Sequence, residues 1–419
     1  MNKIAFHNLG CKVNAYETEA MIRQLKEAGY EIVDFSEKAD VYVVNTCTVT
    51  GVADKKSRQM LHRAKKNNPK ALVVAVGCYV QADPARALAD EAVDLVVGNH
   101  EKNRLAELIE NKLSEVADIN SIKEYEPLFV DRFDSHTRAF VKIQDGCTQF
   151  CSYCLIPYVR GRVRSREPED VVKEIESIAA AGCKEVVLTG IHLSSYGNDG
   201  RPEHMGPALL DLISRLSGIE GLERIRLGSL EPRIITEEFA GTLAKEPKFC
   251  PHFHLSLQSG CDATLKRMNR HYTAAEFKEK CELLRRHFKL PAITTDVIVG
   301  FPGETEEEFA CTAAYLRDLH LSKLHVFPYS LRKGTAAERL PGRVPDAVKA
   351  ERVKALMAIS EADEAAFKKA WSLLPREVLL EEEVEAEGRK WFAGHTREYV
   401  EELIPAEGHY SGEVVKLGG

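Results

Sequence analysis

The sequence contains no apolar run long enough to cross a bilayer. Its longest nearly unbroken one, from Ala71 to Val80, falls far short of the ~18–20 residues that a spanning helix needs. A secretory signal is also missing: Met1 to Gly10 leads straight into a candidate strand, without a basic stretch followed by an apolar one. Together these absences predict a cytoplasmic protein with no membrane association. There is no excess of positive charge either. Against 57 Lys and Arg stand 64 Asp and Glu, a formal net charge of -7. Nucleic-acid binding through overall charge is thereby excluded, and only local basic patches remain for such contact. Long-period repeats, low-complexity tracts and an acid–base triad are absent too. Cysteine, by contrast, is plentiful, with 11 residues. In a reducing cytosol disulfides are not expected, which leaves metal ligation or simple burial.

A length of 419 residues calls for two or three domains. Over residues 1–115, strands alternate with helices. Lys3–Leu9, Val41–Val44 and Ala71–Val76 are short apolar strands. Asn14 and Glu17 have the spacing of a capping box, and Met21, Ile22, Leu25 and Ala28 follow at helical period. This alternation predicts a doubly wound parallel sheet. Residues 116–136 carry mixed charge without period and are expected to be a linker. From 137 to 370 a second series begins, with strands at Ala139–Ile143, Glu185–Leu188, Arg224–Leu227, Phe253–Leu257, Ile293–Val299 and Lys323–Phe327. Six strand–helix units fit a full or partial parallel barrel, whose site lies at the carboxyl ends of the strands. A helix over 346–371 leads into 371–419. There the short segments Glu377–Glu385, Trp391–His395, Glu398–Ile404 and Glu413–Leu417 predict a small β-barrel. The fold class is therefore α/β with a small all-β tail.

Cys147, Cys151 and Cys154 follow the first strand of the second series, in the run Asp145-Gly-Cys-Thr-Gln-Phe-Cys-Ser-Tyr-Cys154. Thiolates at this spacing can wrap one corner of an iron–sulfur cubane and leave one iron open. A structural zinc site is the alternative, but it ordinarily takes four protein ligands, and no fourth Cys or His lies at the usual spacing. Cys11, Cys47 and Cys78 are far apart in sequence, yet each follows a strand of the first series. If those strands are neighbours, the three thiols meet in the crevice at the sheet's carboxyl edge. A helix start beside each favours a thiolate or an anionic cluster. Singly, each is equally a small buried hydrophobe. Cys183, Cys250, Cys261, Cys281 and Cys311 share no metal-like spacing and are expected to be buried structural thiols. His252 and His254 alternate on a strand, where satisfied core histidines are expected.

The pattern Cys-x-x-x-Cys-x-aromatic-Cys after a barrel strand resembles the signature of the radical S-adenosylmethionine (SAM) superfamily. Three N-terminal runs, Gly10-Cys-Lys-Val-Asn14, Asn45-Thr-Cys-Thr-Val49 and Gly77-Cys-Tyr79, resemble the N-terminal domain of the methylthiotransferases within it. The tail from about 372 resembles a TRAM domain, a small barrel usually associated with RNA. The run Gly10-Cys-Lys-Val-Asn-Ala-Tyr-Glu-Thr-Glu19 is most similar to the bacterial type that acts on N6-threonylcarbamoyladenosine of tRNA.

This resemblance implies two 4Fe–4S clusters: one on Cys147, Cys151 and Cys154 that binds SAM and cleaves it to a deoxyadenosyl radical, and an auxiliary one on Cys11, Cys47 and Cys78. It implies methylthiolation at C2 of that nucleoside at position 37, on the 3′ side of the anticodon. An electron donor such as flavodoxin or ferredoxin and a sulfur source would be required. By position, Tyr153, Thr189, Gly190, Ser229, Gln258, Asp296 and Gly300 are the implied SAM contacts.

Two basic stretches suggest RNA contact. Lys55, Arg58 and Lys66 share a helical face, and Arg160, Arg162, Arg164 and Arg166 alternate as an extended segment would present them. The tail departs from an RNA-grasping barrel, because 376–419 holds eleven acidic residues against five Lys or Arg. Rival readings are the same chemistry on isopentenyladenosine in tRNA or on a ribosomal-protein aspartate, a non-catalytic iron–sulfur RNA-binding protein, and a zinc-binding structural protein.

Overall fold

The computed structural model describes residues 2–133, 137–198 and 204–418. Its N-terminal part is a five-stranded parallel sheet of β1 (Lys3–Asn8), β2 (Glu31–Val33), β3 (Val41–Thr46), β4 (Leu72–Gly77) and β5 (Leu95–Val97), in the order β2-β1-β3-β4-β5. Every residue of β3 is buried, as expected of a strand covered on both faces. On one side α1 (Lys12–Glu27) packs Met21 and Leu25 against Ile4 and Val43; on the other, α2 (Gly51–Asn67) packs Leu61 and Ala64 against Tyr42 and Val44. The strands β1, β3 and β4 are neighbours, so their carboxyl ends stand side by side.

The start of α1 differs from the expected capping box. Cys11 is the N-cap, and Asn14 and Glu17 lie inside the helix, 1% and 0% exposed. The first turns of α1 press against the barrel, so these polar groups find buried partners there rather than closing their own helix end.

The central part has β6 (Arg138–Asp145), the short β7 (Arg164–Ser165), β8 (Glu185–Gly190), β9 (Arg224–Leu227), β10 (His252–His254), β11 (Ala292–Val299) and β12 (Lys323–Pro328). They form two sheets, β7-β6-β8-β9 and β10-β11-β12. Single parallel bridges, Ile225 with Phe249 and Leu230 with Leu255, join the two. The six long strands are parallel, and among the described residues β12 does not pair with β6. This is a partial barrel, open on one side. All six sequence-predicted strands are present.

The stretch about 116–136 has no regular element in its described part, but it is packed rather than free. Ile119, Leu128 and Val130 are buried, and Tyr16 donates its hydroxyl to the Leu128 carbonyl at 2.8 Å. The helix Asp346–Trp371 then leads to β13 (Arg376–Ala386), β14 (Arg389–Thr396), β15 (Glu401–Pro405) and β16 (Val414–Leu417). These pair antiparallel in the order β15-β14-β13-β16. The expected small barrel is therefore an open four-stranded sheet among the described residues. Buried arginines of the partial barrel hold it: Arg224 donates to the His395 and Glu377 carbonyls at 3.0 and 2.8 Å, and Arg226 to those of Arg397 and Thr396 at 2.8 and 3.1 Å. Glu381 pairs with Arg138 at 3.0 Å, so part of the tail's acidity serves docking. Among the described residues no helix is long and apolar enough to cross a membrane.

Candidate active site

Cys11, Cys47 and Cys78 sit at the ends of β1, β3 and β4. Asn14 stitches two of these ends together, donating from Nδ2 to the Leu9 carbonyl at 2.7 Å and the Thr46 carbonyl at 3.0 Å. Thr46 ties in the third, through its hydroxyl to the Val76 carbonyl at 2.5 Å and from the Tyr79 amide at 3.3 Å. Gly10, at φ +106°, lies so close to Cys47 that a Cβ there would come within 3.0 Å of its Sγ. Burial, with Cys78 and Cys11 adding like-charge repulsion, pushes the Cys47 thiol up to about 11. Cys47 thus lies within electrostatic reach of both other thiols.

Cys147, Cys151 and Cys154 lie in the loop after β6. Gly146, at φ +73°, makes the turn; a Cβ there would fall 1.8 Å from the Arg162 carbonyl oxygen. Two distant segments clamp the loop. Ser152 donates from its amide to the Met268 carbonyl at 3.0 Å, and Ala337 donates its amide to the Ser152 carbonyl at 2.7 Å. Burial and the other two cysteines push Cys154 up to about 12, and burial with Cys151 pushes Cys147 up to about 11.

Both triads are served by N–H donors aimed at sulfur. Arg270 reaches Cys151 Sγ at 3.1 Å, and the Ile156 amide reaches Cys154 Sγ at 3.4 Å. Arg160 Nε and Asn99 Nδ2 both donate to Cys78 Sγ, at 3.3 and 3.5 Å. Such donors suit thiolates that carry the charge of an anionic cluster. A single zinc ion fits less well, because among the described residues no three Cys, His, Asp or Glu side chains close on one point. The thiolates of a cubane bind different irons and stand further apart.

The two sites share a wall of buried charge. Arg160 ends the short helix Ile156–Arg160 that follows the second triad, and its guanidinium meets Glu17 at 2.5 Å, Asn14 at 2.6 Å and Asp145 at 3.3 Å. Lys142 pairs with Glu17 and Asp145, each at 2.7 Å, and Lys102 pairs with Glu17. Arg164 completes the group, 3.7 Å from Asp145. Two carboxylates face four cations, a surplus that a nearby anionic cluster would balance. The cations hold Glu17 well below the usual carboxylate range.

This corrects the reading of the alternating arginines as a phosphate grip. Arg160, Arg164 and Arg166 are 0, 5 and 5% exposed; Arg166 is bound to Glu174. Only Arg162 of the four is exposed. The segment is a helix end followed by a two-residue strand, so period two does not apply. Lys55, Arg58 and Lys66 are exposed along α2, and Arg58 pairs with Asp90 at 2.9 Å.

Of the expected SAM contacts, Tyr153 packs edge-on against Phe301, ring centroids 6.3 Å apart. Thr189 and Gly190 end β8, and Gln258, at φ +74°, donates its amide to the Asp296 carbonyl at 2.9 Å. Ser229 and Asp296 line a cavity of about 720 Å³ inside the barrel. Gly300 faces away from it, since a Cβ there would strike the Lys349 side chain at 2.4 Å. His252 and His254 both line the cavity rather than lying in a closed core, and burial holds His252 well below its ordinary value. Cys311 is exposed and Cys183 half-buried, whereas Cys250, Cys261 and Cys281 are buried as expected.

Sequence reasoning missed Arg270, Asn99 and Lys102, which sit far from either triad in the chain with no motif to mark them, and Lys142, which lies on β6 just before Cys147 and looks like any strand residue. Lys12 was within reach: it flanks Cys11, and with Gly10 it carries the N-terminal part into the same cavity.

An open parallel barrel with three cysteines after its first strand, joined to a parallel α/β domain that carries three more, defines a radical SAM protein. Residues 141–316 match the radical SAM superfamily, and residues 3–98 match Uncharacterized protein family UPF0004. The chain is 42% identical, over 424 aligned residues, to the threonylcarbamoyladenosine tRNA methylthiotransferase MtaB of Bacillus subtilis (strain 168), covering 100% of this chain and 93% of that one. It therefore belongs to the MtaB-type methylthiotransferase family. It is also 36% identical to the tRNA-2-methylthio-N(6)-dimethylallyladenosine synthase of Caldicellulosiruptor saccharolyticus, over 89% of this chain and 80% of that one. Among solved structures it resembles the radical SAM methyltransferase TsrM of Kitasatospora setae, with TM-score 0.57, 18% identity, and coverage of 78% and 73%. That likeness concerns the fold. A radical SAM domain implies one 4Fe–4S cluster and SAM.

Proposed function

We propose that this protein installs a methylthio group on C2 of N6-threonylcarbamoyladenosine at position 37 of tRNA. One observation carries the reading: two thiol triads on separate domains flank the same partial barrel, joined by Arg160, in a chain alignable end to end with the Bacillus relative. Cys147, Cys151 and Cys154 hold the SAM-binding cluster, and Cys11, Cys47 and Cys78 hold an auxiliary one. When bound, these groups supply radical cleavage of SAM and a site for the sulfur to be transferred, as an unactivated aromatic C–H bond demands.

The chain's own residues hold and shield. Arg270, Asn99 and Arg160 donate to the sulfurs and steady the thiolates. The barrel wall and the docked C-terminal sheet both line the cavity. Tyr153, Ser229 and Asp296 line the approach to the second triad as SAM contacts. The exposed Lys55 and Lys66 on α2, with Arg162, contact tRNA phosphates. The electron comes from a flavodoxin- or ferredoxin-type donor, and an external source renews the sulfur.

The test is deletion of the gene in its host, followed by mass spectrometry of nucleosides from bulk tRNA. The expected result is loss of 2-methylthio-N6-threonylcarbamoyladenosine, restored by the wild-type gene and not by Cys151→Ala. An unchanged nucleoside profile refutes the tRNA reading.

A further inference from the structure

The family's relatives act on two substituents that differ in charge. One N6 group, threonylcarbamoyl, ends in a carboxylate; the other, dimethylallyl, is a hydrocarbon. A site that accepts the first needs a cation where the second needs none.

The cavity of about 720 Å³ inside the barrel lies within the usual size range of small-molecule sites. Three cations line it. Lys323 and Lys368 share the single carboxylate of Glu364, at 3.5 and 3.0 Å. Lys12 makes no ion pair among the described residues; its nearest aromatic contact is the Phe140 ring, 6.0 Å away. The lining acids are occupied or remote. Asp296 faces His254 at 3.4 Å, Glu398 accepts from Trp371 Nε1 at 3.0 Å, and Glu401 is on the exposed rim. The field around Lys12 is positive as well. Arg138 and Arg226 both stand near it, and the one carboxylate that attracts it, Glu185, is held by Arg226 at 2.7 Å and Arg224 at 3.5 Å.

Lys12 directly follows Cys11. On adenine, C2 and N6 flank N1 on one edge of the ring. A residue that follows one of the thiols serving C2 and reaches into the cavity is therefore placed to meet what N6 carries.

We infer that the part of this cavity around Lys12 is the subsite for the N6 substituent, the part at Ser229 and Asp296 being left to SAM, and that Lys12 binds its carboxylate, which makes Lys12 a specificity-determining residue. The inference rests on the proposed substrate. A charge-assisted hydrogen bond to this half-buried lysine corresponds to about 10- to 100-fold in affinity.

The test uses the cluster-loaded protein under anaerobic conditions and two anticodon stem–loop RNAs. One carries N6-threonylcarbamoyladenosine, and the other its neutral threoninamide analogue. Fluorescence anisotropy should show the wild type preferring the carboxylate by about 10- to 100-fold. Lys12→Met and Lys12→Gln should bind the two alike, while Lys12→Arg keeps the preference. A loss of folding would change both affinities, not their ratio. Equal binding by the wild type, or a preference that survives in Lys12→Met, overturns the inference. Product analysis on these RNAs, and on a third that carries N6-dimethylallyladenosine, separates the two readings. Methylthiolation of the threonylcarbamoyl RNA without Lys12-dependent discrimination removes only the inference. Conversion of dimethylallyladenosine RNA alone removes the proposed substrate and the inference with it.

Discussion

Replacing Arg160 with methionine tests whether the wall between the two triads holds the domains together. The guanidinium is fully buried and meets Glu17 at 2.5 Å, Asn14 at 2.6 Å and Asp145 at 3.3 Å, while its Nε points at Cys78 Sγ, 3.3 Å away. Methionine fills much of the volume but satisfies none of these acceptors. Breaking a buried pair from one side typically costs about 3–5 kcal/mol, because the partner charge is left uncompensated. Here Lys102 and Lys142 remain beside Glu17, so the lower end, about 3 kcal/mol, is expected. The measurement is the urea midpoint of the apoprotein under reducing, anaerobic conditions. Glu17→Gln in the same background should show a coupling of about 1–3 kcal/mol with Arg160→Met. That coupling should be nearly unchanged between low and high salt, since buried pairs are weakly screened. A loss below about 1 kcal/mol, the range of exposed pairs, additive single effects, or a coupling that salt abolishes would refute the arrangement.

Gly146→Ala places a methyl where the Arg162 carbonyl stands, 1.8 Å from the ideal Cβ, and at φ +73°. The variant should lose iron from the second triad while the first still loads, as read by iron content and by the EPR signals of the two clusters. Glu126 is buried, and desolvation pushes its carboxyl up to about 7 from 4.5. The folded state therefore keeps a proton that the unfolded chain releases first, and stability should fall as pH rises from about 4.5 to about 7. Glu126→Gln should remove that slope and gain up to about 3 kcal/mol at pH 8, as read by urea midpoints at pH 5 and pH 8. Equal slopes in both proteins would contradict it. The double change Lys55→Glu and Lys66→Glu should weaken tRNA binding and lower the slope of log affinity against log salt by about 1.5–2. An unchanged slope would remove α2 from the RNA surface.

The strand framework was legible because it depends on local pattern. The apolar run Val41–Val44 is buried on both faces, as a parallel strand is, while Ile293–Val299 alternates, with Thr294 and Asp296 turned to the cavity. The helix Asp346–Trp371 and the six barrel strands followed from the same signals. The cysteine triads were legible for a topological reason: a residue just past a parallel strand stands at the carboxyl edge of the sheet, wherever it lies in the sequence. Two kinds of feature were not. Closure of a sheet depends on pairing between distant strands, and the tail's open order β15-β14-β13-β16 has no local signature. Nor does the destination of a charge. Asn14 and Glu17 have the spacing of a helix cap, and Arg160 to Arg166 that of an exposed row. Both patterns were overridden because α1 packs against β6 and buries them together.

That burial gives the N-terminal domain a definite seat. Glu17 belongs to α1, Lys102 to the turn Lys102–Arg104, Lys142 and Asp145 to β6, and Arg160 to the helix after the second triad. Lys142 pairs with Asp145 within β6, and Lys102 with Glu17 within the N-terminal domain, but Arg160 and Lys142 both reach Glu17 across the boundary. Those crossing contacts would be left unmade in another register, at the cost of underpaired buried ions, and the register that makes them is the one that brings Cys78 against Arg160 and Lys12 into the barrel. Greasy packing between α1 and the barrel would hold the domains equally well, but it would permit sliding. Mutually dependent charges penalise a shift of even a few ångströms, and chemistry shared between two cysteine sites requires that the distance between them stay fixed.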